Sequence, residues 1–302
     1  MSELAEPMAR SDQDWMSAMD LVAEDDGYLE RLGKRHWAFF AEQGTTLLVT
    51  FERAEAVRAR DSRMPAQYDL ARAQRWSILT VLAEGETFWR DPAVWGYFDR
   101  LVDDAFFDDF DRVVFYGAGP AGYAAAAYMV AAPGARALLI APRATMDPAI
   151  AGWDRRHRAA RRLDFTRRYG YAPDMTGGAD RVWLVHDPLH GPDAAHAALF
   201  RRPWLTVLNA RRTGEATEAV LAATGVLDRA LVAATEGRLT PAGFARLWRT
   251  RRSNPAYLRA ILTEAVARKR PWMETLICRS VTRRMNAPRL QARLAGLTGG
   301  KG

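Results

Sequence analysis

Cysteine is almost absent: Cys278 is the only one in 302 residues. That excludes an internal disulfide and any zinc site built on several thiolates. Long hydrophobic runs are missing too, since no stretch approaches the roughly 18 consecutive apolar residues of a spanning helix. Residues 1–20 carry five acidic side chains and no apolar run, which argues against a secretion signal and for a cytoplasmic address without membrane association. Histidine is scarce, five in all, and none follows His196. No internal repeat and no low-complexity tract interrupts the chain.

What is present is a large apolar fraction, 49%, enough to bury a full core, and a charge gradient. Residues 1–111 carry a net charge of −11, residues 112–237 of +5 and residues 238–293 of +12. Opposite signs at the two ends attract each other or outside partners: an acidic small molecule, an acidic protein or nucleic acid. The densest basic stretch runs from Arg155 through Arg156, Arg158, Arg161, Arg162 and Arg167 to Arg168. Read as a helix, it places 155, 158 and 162 on one face, with Asp103-Asp104 and Asp108-Asp109 as the expected intramolecular counterions.

Element by element, Leu21 to Leu32 reads as a short helix. Trp37 to Phe40 and Thr46 to Phe51 read as strands joined by a turn at Glu42-Gln43-Gly44, and Trp76 to Leu82 as a third. Asp91-Pro92 is a helix start, with Asp as N-cap and Pro at the first helical position. Val94, Phe98, Leu101, Val102 and Ala105 then recur at helical spacing as a buried face. Val113 to Tyr116 is short and apolar without alternation, as a buried parallel strand requires. Gly117-Ala118-Gly119-Pro120-Ala121-Gly122 turns the chain into an alanine-rich helix, and Ala137 to Ala141 supplies the next strand. Arg181 to Val185 and Trp204 to Leu208 are later strands around a helix at Pro192 to Phe200. Beyond Glu215 everything reads as helix. In the helices of that region Phe244, Leu247, Leu258 and Ile261 are expected core.

Gly117, Gly119 and Gly122 fit G-x-G-x-x-G, a dinucleotide loop in which glycines let a pyrophosphate approach a helix N-terminus. Such a fold, with FAD or NADP as cofactor, expects an acidic residue at the end of the second strand. Here that position reads Ile140-Ala141-Pro142-Arg143, and Arg143 suits a phosphate instead.

The same segment, Phe115 to Tyr123, resembles the Gly-Ser-Ser-Met-Gly-Gly-Tyr nucleophile elbow of α/β-hydrolases. That resemblance implies an α/β fold: a mostly parallel sheet of α/β-hydrolase type with helices on both faces and a helical C-terminal extension. The change from mixed α/β to helix-only segments bounds a hydrolase-like domain at residues 1–225 and a basic helical extension at 226–295, with 296–302 expected as a disordered tail. The resemblance also implies that Gly119 occupies the nucleophile position and Asp187 the acid position, with the base expected near Thr213-Gly214-Glu215. A triad needs all three groups. With glycine at the first position and no histidine at the third, the resemblance implies a catalytically degenerate, non-hydrolytic protein. Ligand binding is then expected around Gly117, Gly119, Gly122, Arg143 and Asp187. A flavin- or nicotinamide-dependent oxidoreductase is the alternative.

A further resemblance rests on Leu32-Gly33-Lys34-Arg35-His36, Gly85 to Asp91, Tyr97 to Asp104 and Tyr169 to Asp174. These resemble a bacterial group sometimes labelled phosphoadenosine phosphosulfate reductase. The Ser-Gly-Gly-x-Asp-Ser loop and Glu-Cys-Gly cysteine of that enzyme are missing; Cys278 stands in an apolar helical setting and reads as core. His186, Asp187, His190 and His196 are the remaining candidates, as metal ligands, though their spacing matches no metal signature and a polar strand end is the simpler reading.

Overall fold

The computed structural model describes residues 15–17, 19–23 and 27–299. The chain divides into two compact units, residues 1–215 with 231–239, and residues 216–230 with 240–302. The division falls at 215/216 rather than near 225, and residues 231–239 return to the first unit.

The first unit is built on eight strands: β1 (Gly27–Leu32), β2 (His36–Ala41), β3 (Thr46–Arg53), β4 (Ser77–Ala83), β5 (Arg112–Ala118), β6 (Arg136–Ile140), β7 (Arg181–His186) and β8 (Leu205–Asn209). Their order in the sheet is β1-β2-β4-β3-β5-β6-β7-β8. β1 and β4 both pair antiparallel with β2, and every pairing from β4 to β8 is parallel. Eight strands in that order, with one antiparallel strand near the edge and a glycine elbow after β5, make the α/β-hydrolase fold. The fold expectation holds.

Each central strand is apolar because both of its faces are covered. All six residues of β2 and all seven of β4 are buried. Where polar groups enter these strands they pair with each other: Thr50 and Thr80 share a hydrogen bond of 2.7 Å between β3 and β4. The helix after the elbow, Pro120–Tyr128, is buried from Gly122 to Tyr128, so it shows no polar face. Its two tyrosines find carbonyls, Tyr123 donating to Tyr169 O (2.6 Å) and Tyr128 to Trp89 O (2.5 Å). Aromatic rings around Phe51, Phe98 and Tyr128 stack between this helix and Pro92–Asp103.

Several local expectations are corrected. Residues 19–23 are helical, but 27–32 form β1, which gives the outer edge of β2 a partner. β2 and β3 are no hairpin: β4 lies between them. Asp91 caps the helix Pro92–Asp103 through Ala93 N, as expected, yet Val102 is 49% exposed and Ala105 lies past the helix end. The stretch from Arg155 to Arg168 contains only one 3-10 turn, Ala159–Arg162, so its arginines share no helical face. Phosphate-like spacing on a helix is therefore not available there.

Among the described residues the second unit contains helices and no strand: Thr217–Ala223, Pro241–Trp248, Pro255–Ala267, Pro271–Thr282 and Pro288–Gly299 carry most of it. Four of these begin with proline at the first or second helical position, where the missing N–H is harmless. Phe244 and Leu258 are buried, while Leu247 and Ile261 are half-buried. The last helix continues through the 296–299 segment expected to be disordered. No helix among the described residues is long and apolar enough to cross a membrane.

Candidate functional site

Parallel strands put the ends of β5, β6, β7 and β8 on one edge of the sheet, and the loops that leave them form the candidate site. The elbow comes first. Gly117 is required by close approach: a Cβ there would lie 2.2 Å from Ala121 O. Gly122 packs against the chain leaving β6, where a Cβ would stand 3.1 Å from Pro142 Cα. Gly119 has φ 56° and ψ −119°, a region that residues with a Cβ enter only under constraint. This is the sharp strand-to-helix turn on which a nucleophile is presented. A Cβ at Gly119 would meet nothing within 4 Å. The presenting backbone is intact; the presented side chain is missing.

The next residue removes a second part. In this fold the N–H of the residue after the nucleophile helps to bind the oxyanion. Here it is Pro120, which has no N–H. The N–H of Gly119 itself donates to Ile140 O (2.8 Å). The other donor comes from the loop after β3, and here β3 runs directly into the helix Ala54–Arg58. Pro120 was readable from the sequence once the elbow was aligned.

Asp187 follows β7 at the acid position and is buried. Both carboxylate oxygens serve the backbone: Oδ1 accepts from Leu189 N (2.9 Å) and Oδ2 from Gly214 N (2.9 Å). Gly214 lies in the segment Thr213-Gly214-Glu215 where the base was expected. Asp187 thus meets a backbone amide of the segment Thr213-Gly214-Glu215.

Arg143 is brought beside the elbow, its backbone N donating to Gly119 O (3.3 Å). Its side chain is buried and turned away into an ionic network that the sequence did not foretell. Arg143 Nη1 donates to Ala141 O (2.7 Å) and Asp193 Oδ1 (3.0 Å). Arg156 donates to both oxygens of Asp154, the shortest bond 2.6 Å, and to Asp193 Oδ1 at 2.7 Å. His196 Nδ1 accepts from Ala144 N (3.1 Å), so Nε2 carries the proton and donates to Asp154 Oδ2 (3.0 Å). Burial works to raise the Asp154 carboxyl, but the bonds from His196 and Arg156 prevail and hold it far below the usual carboxylate range. Burial lowers His196, and it also lowers the Arg143 guanidinium, which Arg156 lowers further. With both ring nitrogens engaged, His196 is a structural histidine and not a free base.

The metal candidates do not converge. Among the described residues no group of three or more His, Cys, Asp or Glu is placed to hold an ion. His186 ends β7 and is buried, and desolvation lowers its imidazole below the ordinary value. His190 Nδ1 stands 2.8 Å from Asp193 Oδ2 without hydrogen-bond geometry. Cys278 is fully buried, and burial pushes its thiol up, as a core residue and not a nucleophile.

The basic stretch finds its counterions, though not those expected. Arg156 pairs with Asp154 and Asp193, Arg167 with Asp164, and Arg168 with Asp99. Asp103, Asp104, Asp108 and Asp109 make no ion pair among the described residues. Asp154 and Asp164 lie in the 141–180 excursion between β6 and β7, Asp193 on the helix Gly191–Leu199 and Asp99 on the helix Pro92–Asp103.

No protein-family model and no curated protein matches the chain. Among solved structures it is similar to carboxyl esterase 2 of the mycorrhizal fungus Tuber melanosporum, at 11% identity over 70% of this chain and 85% of that one, with a TM-score of 0.47. It is also similar to the hyperthermophilic esterase of the archaeon Pyrobaculum calidifontis, at 12% identity, 79% and 95% coverage and a TM-score of 0.43. A third is MPT51 of Mycobacterium tuberculosis, at 14% identity, 68% and 95% coverage and a TM-score of 0.44. The fold stands on the chain's own strand order and elbow. Residue roles do not transfer at such identities.

Proposed function

We propose that this chain is a non-hydrolytic binding protein on an α/β-hydrolase scaffold, and that its partner is acidic. The observation that carries the first half is Gly119: the strained elbow is kept, and it presents no side chain. Pro120 without an N–H, Asp187 bonded to Gly214 N and the doubly engaged His196 support the same reading. Serine-type acyl transfer needs a nucleophile, a base and an oxyanion site, and each is missing its reacting atom here.

For the second half we look away from the elbow. At that edge the Arg143 and Arg156 side chains are already engaged by Asp154 and Asp193, so neither guanidinium is free to meet an anionic ligand. The helical unit is basic: its described residues hold 14 Lys/Arg against four Asp/Glu. An acidic partner therefore belongs on those helices. Retention on a heparin column that falls steeply with added salt is the expected result, and retention independent of salt, or none, would remove the acidic partner. The alternative of FAD or NADP on the same glycines is tested on the same preparation. A flavin absorbance band or a copurified nicotinamide in native mass spectrometry would replace our reading.

A further inference from the structure

We propose that the molecule associates with itself head to tail, a basic ridge on the helix Pro271–Thr282 of one copy seating in an acidic, apolar-floored trough of the next. The proposal rests on the reading that the helical unit takes an acidic partner, and it names that partner as a second copy of this chain.

The trough lies in the first unit, at the start of β5 and β6 and so on the edge opposite the elbow. Two adjoining cavities of about 690 Å³ and 610 Å³ share Val102 and Ala131. Leu101, Phe107, Phe110 and Val113 give the first an apolar floor, and Val130 belongs to the second. Val102 and Val130 are 49% and 40% exposed, so apolar surface is open to water here. The lining arginines Arg136 and Arg168 are neutralised by Asp180 and Asp99. That leaves Arg112 against Asp103, Asp108 and Asp111 in the lining and Asp104 and Asp109 next to them. These five carboxylates are exposed and make no ion pair among the described residues. An open apolar surface edged with unneutralised charge is costly to leave bare and marks an interaction site.

The ridge has the complementary composition. Trp272, Leu276, Arg279 and Arg283 follow at i, i+4, i+7 and i+11, one stripe along a helix. Trp272 is 60% and Leu276 52% exposed. Arg279 and Arg283 are exposed, with no carboxylate partner among the described residues. The opposite face, through Glu274, Cys278 and Val281, is buried, so the stripe points to solvent. A tryptophan and a leucine in line with two free guanidinium groups need a partner that is apolar and acidic at once. Nucleic acid supplies phosphate but no seat for Leu276. The trough supplies both.

Where each copy gives its ridge to one neighbour and its trough to another, the contact is heterologous and propagates into chains or a ring. One helix in one trough is an interface at the small end of the range, so association is weak and concentration-dependent. Sedimentation velocity on the full chain tests it. In low salt the mean mass is expected to rise above the 33.8 kDa of the monomer as concentration increases, and to fall back in high salt. Arg279→Glu/Arg283→Glu spoils the ridge, and Val102→Glu/Val130→Glu spoils the trough, all at exposed positions that folding tolerates. Each double variant alone is expected to stay monomeric, with an unchanged circular dichroism spectrum. Their mixture is expected to stop at a 1:1 dimer, since one copy keeps its trough and the other its ridge. A wild-type monomer at every concentration, or growth that neither variant affects, overturns the proposal. If the wild type stays monomeric while the ridge variant loses heparin retention, self-association fails and the acidic-partner reading survives. If heparin retention is absent as well, both fail.

Discussion

Placing a serine at the elbow is the sharpest perturbation the structure offers. Gly119→Ser adds a Cβ where nothing lies within 4 Å, so the replacement causes no clash. Its cost is conformational: at φ 56° and ψ −119° an L residue is strained by about 1–3 kcal/mol. Urea denaturation should therefore show a folded variant, less stable than the wild type by that amount. The new hydroxyl would still lack a base, and Pro120 would still withhold an oxyanion donor worth about a hundred- to a thousandfold in rate. Hydrolysis of p-nitrophenyl acetate and butyrate by Gly119→Ser is expected to match buffer. Joining Gly119→Ser to Pro120→Ala and Gly214→His returns a nucleophile, an N–H and an imidazole beside Asp187. That triple variant is the one in which a rate above background is expected. Turnover or an acyl-enzyme burst in Gly119→Ser alone would refute the reasoning, because it would mean that a base and an oxyanion site already exist at the elbow.

Three further outcomes follow from the surroundings of the site. Asp193→Asn leaves Arg143 and Arg156 short of a buried counter-charge, and a loss of about 3–5 kcal/mol in urea denaturation is expected; a loss under 1 kcal/mol would mean that the network is not a unit. Asp187→Ala removes the buried acceptor of the Leu189 and Gly214 N–H groups and should lower stability by about 1 kcal/mol, with faster amide exchange at Gly214 as the local signature. His36, buried and bonded to Thr87 Oγ1 at 2.8 Å, is pushed by burial down to about 4 from its ordinary 6.5. Its folded value lies below its unfolded one, so its contribution is complete above pH 6.5 and disappears as pH falls to about 4. That amounts to about 3 kcal/mol. The difference in stability between wild type and His36→Gln, followed from pH 7.5 to 4, should shrink by that much; a difference independent of pH would contradict the assignment.

The elbow was legible in the sequence because each feature meets a local demand. Gly117 and Gly119 stand where a Cβ would collide or be strained, and Val113 to Tyr116 lacks alternation because β5 is covered on both faces. Asp91-Pro92 was legible for the same reason, since a cap is settled within three residues. The sheet order was not, for β4 enters between β2 and β3 through pairings that no short window contains. β1 was read as helix because its partner, the edge of β2, lies outside its own segment. The ionic network escaped notice because it joins Arg143, Asp154, Arg156, Asp193 and His196 across some fifty residues. Only the excursion between β6 and β7 brings them together. Arg143 lies beside the elbow through its backbone, and its side chain is held by Asp193, a partner fifty residues away that no local window shows.

Intact-mass spectrometry of the wild-type protein, incubated with a fluorophosphonate and then with an activated acyl ester, bears most directly on the elbow. A protein whose Gly119 presents only backbone should keep its unmodified mass with both reagents and release no product beyond the buffer rate. A stoichiometric adduct mapping to the segment from Gly117 to Tyr123, or to any side chain bordering it, accompanied by turnover, would show that the site reacts and would contradict the account.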